Sequence, residues 1–77
     1  MTLKVKYFGL IAELTACEEE SIEISATSIA ELIQFLSEKY PSLKSKDFQI
    51  AQNREIASIE TTLTGEEIAL LPPFSGG

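Results

Sequence analysis

Histidine is absent from this chain, and cysteine occurs once, as Cys17. Without an imidazole there is no Ser/His/Asp relay, no Cys/His pair and no histidine-based metal cluster, and one thiol cannot close an internal disulfide. None of the four glycines builds a phosphate-cradling loop. Long apolar runs are missing too: Lys4 and Lys6 interrupt the first apolar segment. Neither a signal peptide nor a membrane span is therefore expected, and a cytoplasmic location is. Positive charge is scarce, with 6 basic against 12 acidic residues and a net charge of −6. A nucleic-acid surface needs a basic footprint, so that class of partner is excluded. The acidity suits simple solvation or a partner protein with a basic face.

What is present is a chain of 77 residues, 44% of them hydrophobic, enough for one small domain. No repeats, linkers or low-complexity tracts divide it. Leu3, Val5 and Tyr7 alternate with Lys4 and Lys6, the period of a half-buried strand, with Phe8 on the other face and Gly9 as the break. Leu10 to Leu14 fit a short helical turn. Cys17 sits beside Glu18, Glu19 and Glu20, an unfavourable setting for a reactive thiolate, and reads as structural. The three glutamates read as a solvated turn, as does the pair Glu66 and Glu67. Ser21 to Ser25 is expected as a second strand, hairpinned to the first through Ile22 and Ile24.

The clearest helix follows. Ser28 and Glu31 form a capping box, Ile29, Leu32, Ile33 and Leu36 make an apolar stripe that Tyr40 continues, and Pro41 ends it. Phe35, off the stripe, is expected to cover an edge. Leu43 pins the loop that follows. Phe48 and Ile50 mark a third strand, Gln52-Asn53-Arg54 a turn, and Glu55 to Ser58 a fourth strand with Ile56 inward. Ile59 and Leu63 are expected to anchor the irregular link to the last strand, Ile68 to Leu71. That strand is apolar at all four positions, so it belongs in the middle of the sheet, beside the first. The order predicts an α+β domain with a mixed sheet of about five strands and one main helix packed across one face.

Pro72 and Pro73 cannot donate to a ladder, so the domain is expected to span 1–71, with 72–77 as an extended tail. Six residues in a polyproline-like course reach about 19 Å. The tail closes on Gly76-Gly77, which has no Cβ and can pass through a narrow channel to present a carboxylate. A frayed, solvated chain end is the ordinary alternative. Since no other group in the chain is equipped for chemistry, the Gly77 carboxylate is the candidate functional atom set.

The run from Leu63 to Gly77, with Pro72-Pro73, Ser75 and Gly76-Gly77, resembles the ending of the small sulfur-carrier subunits of molybdopterin synthase, a ubiquitin-like β-grasp family. Val5 to Gly9 and Ile50 to Asn53 are further matches, while Phe74, Gln52 and Ala12 depart from the usual pattern. The resemblance implies that Gly77 is adenylated and then thiocarboxylated by a ubiquitin-activating-type adenylyltransferase that uses ATP and magnesium, this chain binding no cofactor itself. It implies delivery of that sulfur to a cyclic pterin monophosphate inside a large catalytic subunit. Gly76 and Ser75 would thread the channel, Phe74 would pack at its mouth, and Pro72 and Pro73 would contact the partner. The thiamine-thiazole sulfur carrier, which generally lacks the Pro-Pro-x-Ser segment, and a ubiquitin-like modifier joined to lysines through Gly77 are the alternatives.

Overall fold

In the computed structural model, which describes residues 1–73, the alternation at the start of the chain becomes strand β1, Thr2–Tyr7. Its Leu3, Val5 and Tyr7 are buried on one face. Gly9, at φ +58, ends the strand and opens a short helix, α1, Leu10–Thr15. The return strand β2, Glu19–Glu23, runs antiparallel to β1, with Ile22 opposite Leu3 and Glu19 opposite Lys6. It starts two residues before Ser21, so Glu19 and Glu20 belong to the strand and not to a solvated turn. In the ladder Glu19 lies opposite Lys6 and Glu20 opposite Val5, and Lys4 Nζ is 3.2 Å from the Glu19 carboxylate.

Helix α2, Ile29–Lys39, starts at Ser28, whose Oγ accepts the Glu31 N–H at 3.3 Å. Glu31 answers one residue further back than a simple capping box, taking the Thr27 N–H at 3.2 Å and the Thr27 hydroxyl at 2.8 Å. Two more unsatisfied N–H groups of the first turn, those of Ile29 and Ala30, donate to the carbonyls of Thr61 and Ile59 at 2.9 and 3.0 Å. Ile29, Leu32 and Leu36 are buried, with Ile33, Phe35 and Tyr40 packed at their margin. Pro41 stops the helix and starts a 3-10 turn, Pro41–Ser45, whose Leu43 is buried as expected.

Strands β3, Gln49–Gln52, and β4, Glu55–Ala57, form a tight hairpin around Asn53 and Arg54. Both residues have positive φ, 53° and 69°, the signature of the I′ turn whose twist matches two antiparallel strands. That turn sets the register with Ile56 opposite Ala51, one step out of phase with Ile50. Ile56 is consequently on the outer face and 59% exposed, against the expectation that it points inward. Ile59 is also outward, 60% exposed; the link is held by its backbone carbonyl on α2, and by the buried side chain of Leu63.

Strand β5, Ile68–Leu71, closes the sheet in the order β2-β1-β5-β3-β4. It pairs parallel to β1, Val5 with Ile68 and Tyr7 with Leu70, and antiparallel to β3. Ile68 and Leu70 are fully buried in one core with Leu3, Val5, Leu32 and Leu36, each such side chain contributing about 1.5–3 kcal/mol. The result is a β-grasp domain: a mixed five-stranded sheet gripping one main helix, with its first and last strands at the centre.

Candidate functional site: the root of the tail

The described chain leaves the sheet at a point fixed from both sides. Leu71 pairs with Gln49 of β3, and on the other flank the Phe8 N–H donates to the Leu70 carbonyl at 3.1 Å. Pro72 has no N–H, so the ladder stops at Leu71; Pro72 and Pro73 follow outside any element and are exposed. The Pro72 ring does not stand free. Its Cγ lies 2.9 Å from where a Cβ on Gly9 would be. Phe8 and Leu10, either side of Gly9, are 44% and 50% exposed, putting two large apolar side chains next to this crossing in the chain. The sequence puts Phe8 on the face opposite Leu3, Val5 and Tyr7 and Leu10 in a short helical turn, without marking Leu10 as exposed. The exposed pair flanking a glycine was the available signal. Phe74, Ser75, Gly76 and Gly77 lie outside the described residues.

The sheet face away from α2 is divided. Its β1–β2 side is ionic, through Lys4 with Glu19 and Lys6 with Glu67, each pair at 3.2 Å. Its β5–β4 side is apolar, with Ala69 and Leu71 partly buried and Ile56 exposed. Exposed apolar area next to a chain exit is the kind of surface that a partner buries.

Elsewhere the polar groups that could suggest chemistry satisfy one another. Glu20 Oε2 accepts the hydroxyls of Tyr7, at 2.6 Å, and Tyr40, and its Oε1 accepts Lys39 Nζ at 2.6 Å. The two tyrosine rings meet edge-on with centroids 6.0 Å apart. Burial pushes the Glu20 carboxyl up, but the hydrogen bonds from Lys39, Tyr40 and Tyr7 outweigh it and hold the group below the usual carboxylate range. Burial and the bond to Glu20 push both tyrosine hydroxyls well above theirs. Cys17 lies against this knot, its Sγ 3.9 Å from the Tyr40 hydroxyl. The arrangement ties β1, β2 and the end of α2 together and keeps the Glu20 carboxylate fully engaged. Among the described residues no three His, Cys, Asp or Glu side chains converge to hold a metal ion, and no helix is long and apolar enough to cross a membrane.

A family model described as the ThiS family matches residues 5–77. The chain belongs to that family. A molybdopterin synthase sulfur carrier subunit of Mycobacterium tuberculosis is 37% identical, covering 97% of this chain and 96% of that protein. A chain in the protein–protein complex of subunits 1 and 2 of the Helicobacter pylori molybdopterin-converting factor is 34% identical over the whole of both chains, with a TM-score of 0.70. The small archaeal modifier protein 1 of Methanosarcina acetivorans is 28% identical over 99% of this chain and 96% of its own, with a TM-score of 0.77. The family and these neighbours agree with the ubiquitin-like β-grasp architecture and with the resemblance carried by the tail.

Proposed function

We propose that this chain is the sulfur-carrier subunit of molybdopterin synthase, acting through Gly77. One observation carries most of the weight: the strand leading to the tail is the central strand of the sheet, parallel to β1 on one side and antiparallel to β3 on the other. A tail rooted there is aimed by the whole domain. The names of the relatives support the same activity.

A carboxylate is a poor electrophile, so it must be activated before sulfur can replace oxygen. A ubiquitin-activating-type partner, using ATP and magnesium, joins AMP to the Gly77 carboxylate and releases pyrophosphate. A persulfide sulfur then attacks the carbonyl carbon and AMP leaves. Cleavage of the sulfur–sulfur bond by a thiol frees the thiocarboxylate. The tail carries it into the large catalytic subunit, where two such transfers to a cyclic pterin monophosphate build the dithiolene. In this scheme Gly76 and Ser75 thread the channel, Phe74 packs at its mouth, and Pro72 and Pro73 keep the strand from continuing and touch the partner. The complex of subunits 1 and 2 from Helicobacter pylori supports a large-subunit partner.

Sulfur carriage requires Gly77 to bear the free carboxylate, which the intact mass of the purified protein checks. Mass spectrometry after incubation with the activating enzyme, ATP and a sulfur donor should then show one oxygen exchanged for sulfur at Gly77. No exchange with components competent on another carrier would refute the proposal. The likeness to small archaeal modifier protein 1 favours a second reading, conjugation to lysines through Gly77. Blots of lysate discriminate: a ladder of heavier species supports the modifier, a single small species the carrier.

A further inference from the structure

The two described glycines both have positive φ, and they differ in one respect. Around Gly65, at φ +87, nothing lies within 4 Å of the place a Cβ would take. Its glycine is accounted for by the backbone conformation alone. Gly9, at φ +58 and ψ −135, shares the positive φ and meets a second constraint: Pro72 Cγ would lie 2.9 Å from its Cβ, and Pro72 Cδ 3.8 Å. Carbon atoms pack best at about 3.5–4.0 Å, so a methyl group there would force the two segments apart by roughly 0.5–1 Å.

Neither side can yield easily. The Pro72 ring is closed on its own backbone and cannot rotate away. Leu70, two residues before it, is fully buried and paired to Tyr7, and its carbonyl takes the Phe8 N–H at 3.1 Å. On the other side Gly9 is followed directly by α1, whose buried Ile11 donates its N–H to the Phe8 carbonyl at 3.1 Å. The ladder holds both segments up to Phe8 and Leu71, so the first part free to move is the chain from Pro72 onward.

We infer that Gly9 is a positioning residue for the Gly77 carboxylate: it forms the seat on which the Pro72 ring rests, and so sets the direction in which the tail leaves β5. This rests on the function proposed above. A displacement at Pro72 shifts the point from which everything after it in the chain departs. Misplacing a reacting group by about 1 Å can cost about 100-fold in rate. The sheet face around Ile56 and Ala69 is untouched, so the loss falls more on kcat than on KM, to which Pro72 contributes as a partner contact.

The test compares Gly9→Ala with Gly65→Ala, which shares the strained φ but has open space for its methyl. Both are followed by thermal unfolding, by amide NMR of Pro72's successors and the Gly9–Pro72 ring NOE, and by steady-state thiocarboxylation of Gly77. Gly9→Ala should shift the tail amides and lower kcat by about 10–100-fold with a smaller change in KM, whereas Gly65→Ala should do neither. Equal losses in the two variants, or a loss confined to KM, would overturn the inference. Should Gly9→Ala fail to fold, Pro72→Ala removes the ring from the other side and must move the tail amides and lower kcat; unchanged spectra and rates would refute the seat. Where all variants fold, Gly9→Ala/Pro72→Ala should be no slower than Pro72→Ala alone, because the clash is gone; additive losses count against it. If the wild-type chain takes up no sulfur, the proposed function fails, and the NOE and tail shifts still decide whether Gly9 seats Pro72.

Discussion

The knot around Glu20 and the root of the tail meet the same strand end two residues apart, at Tyr7 and at Gly9, yet they are held in opposite ways. At Tyr7 one carboxylate on β2 gathers two tyrosine hydroxyls and a lysine from β1 and the end of α2, a network in which every partner is charged or polar. At Gly9 the restraint is shape: a proline ring against a backbone without a Cβ. Hydrogen-bonded knots contribute stability and respond to pH. A steric seat contributes direction and is insensitive to pH. Division of labour follows, with the body of the domain kept rigid at one place and its exit aimed at the next, so that either can be altered with little effect on the other.

The strongest way to challenge that division is to remove Gly77. Thiocarboxylation measured by mass spectrometry should vanish, while the thermal midpoint stays within about 2 °C of wild type, as for surface changes away from the core. A large fall in the midpoint would show that arm and body are not separable. Next in size is Leu70→Ala, which cuts a fully buried side chain from the strand that roots the tail. Urea unfolding should register a loss of about 2–5 kcal/mol. Glu20→Gln comes third, with a loss of about 1–3 kcal/mol and sulfur uptake unaltered at a temperature where the variant is folded. The pH dependence has a defined sign. Glu20 is held below its ordinary value in the folded state, so its stabilisation is present above the unfolded value near 4.3 and disappears as pH falls through the folded one. Acid unfolding curves below about pH 5 should therefore be shallower in Glu20→Gln, with a residual slope from Glu31, whose carboxyl is also lowered by its bonds to Thr27. The smallest effect expected is from Ser28→Ala, about 1 kcal/mol for the lost cap on α2, checked by the same urea titration.

These residues also mark where the sequence is legible. Strand β1, the α2 stripe with its cap, and the central placement of β5 could all be read because each repeats one period over several residues or is uniformly apolar. The three residues of β4 give too short a sample to fix phase. Ile56 faces outward because Arg54 adopts a positive φ that its side chain does not advertise. Glu20 looks like part of a solvated acidic run because Tyr7, Lys39 and Tyr40 reach it from distant positions. Gly9 was readable as a strand break. Its crossing with Pro72 was not, since nothing local to either residue announces the other. Within the candidate site, Pro72 and Pro73 were legible as the stop of β5, and the exposed Phe8 and Leu10 beside it only in part.

The parallel pairing of β1 with β5 bears on how the protein is made. A ribosome releases Val5 long before Ile68, and the middle of the sheet cannot zip until both have emerged. Hairpins such as β1–β2 and β3–β4 can assemble early from near neighbours, but joining them waits for β5, a topology rich in distant contacts and slow to close. A chain that stops short of β5 thus lacks the strand that joins its two hairpins into one sheet.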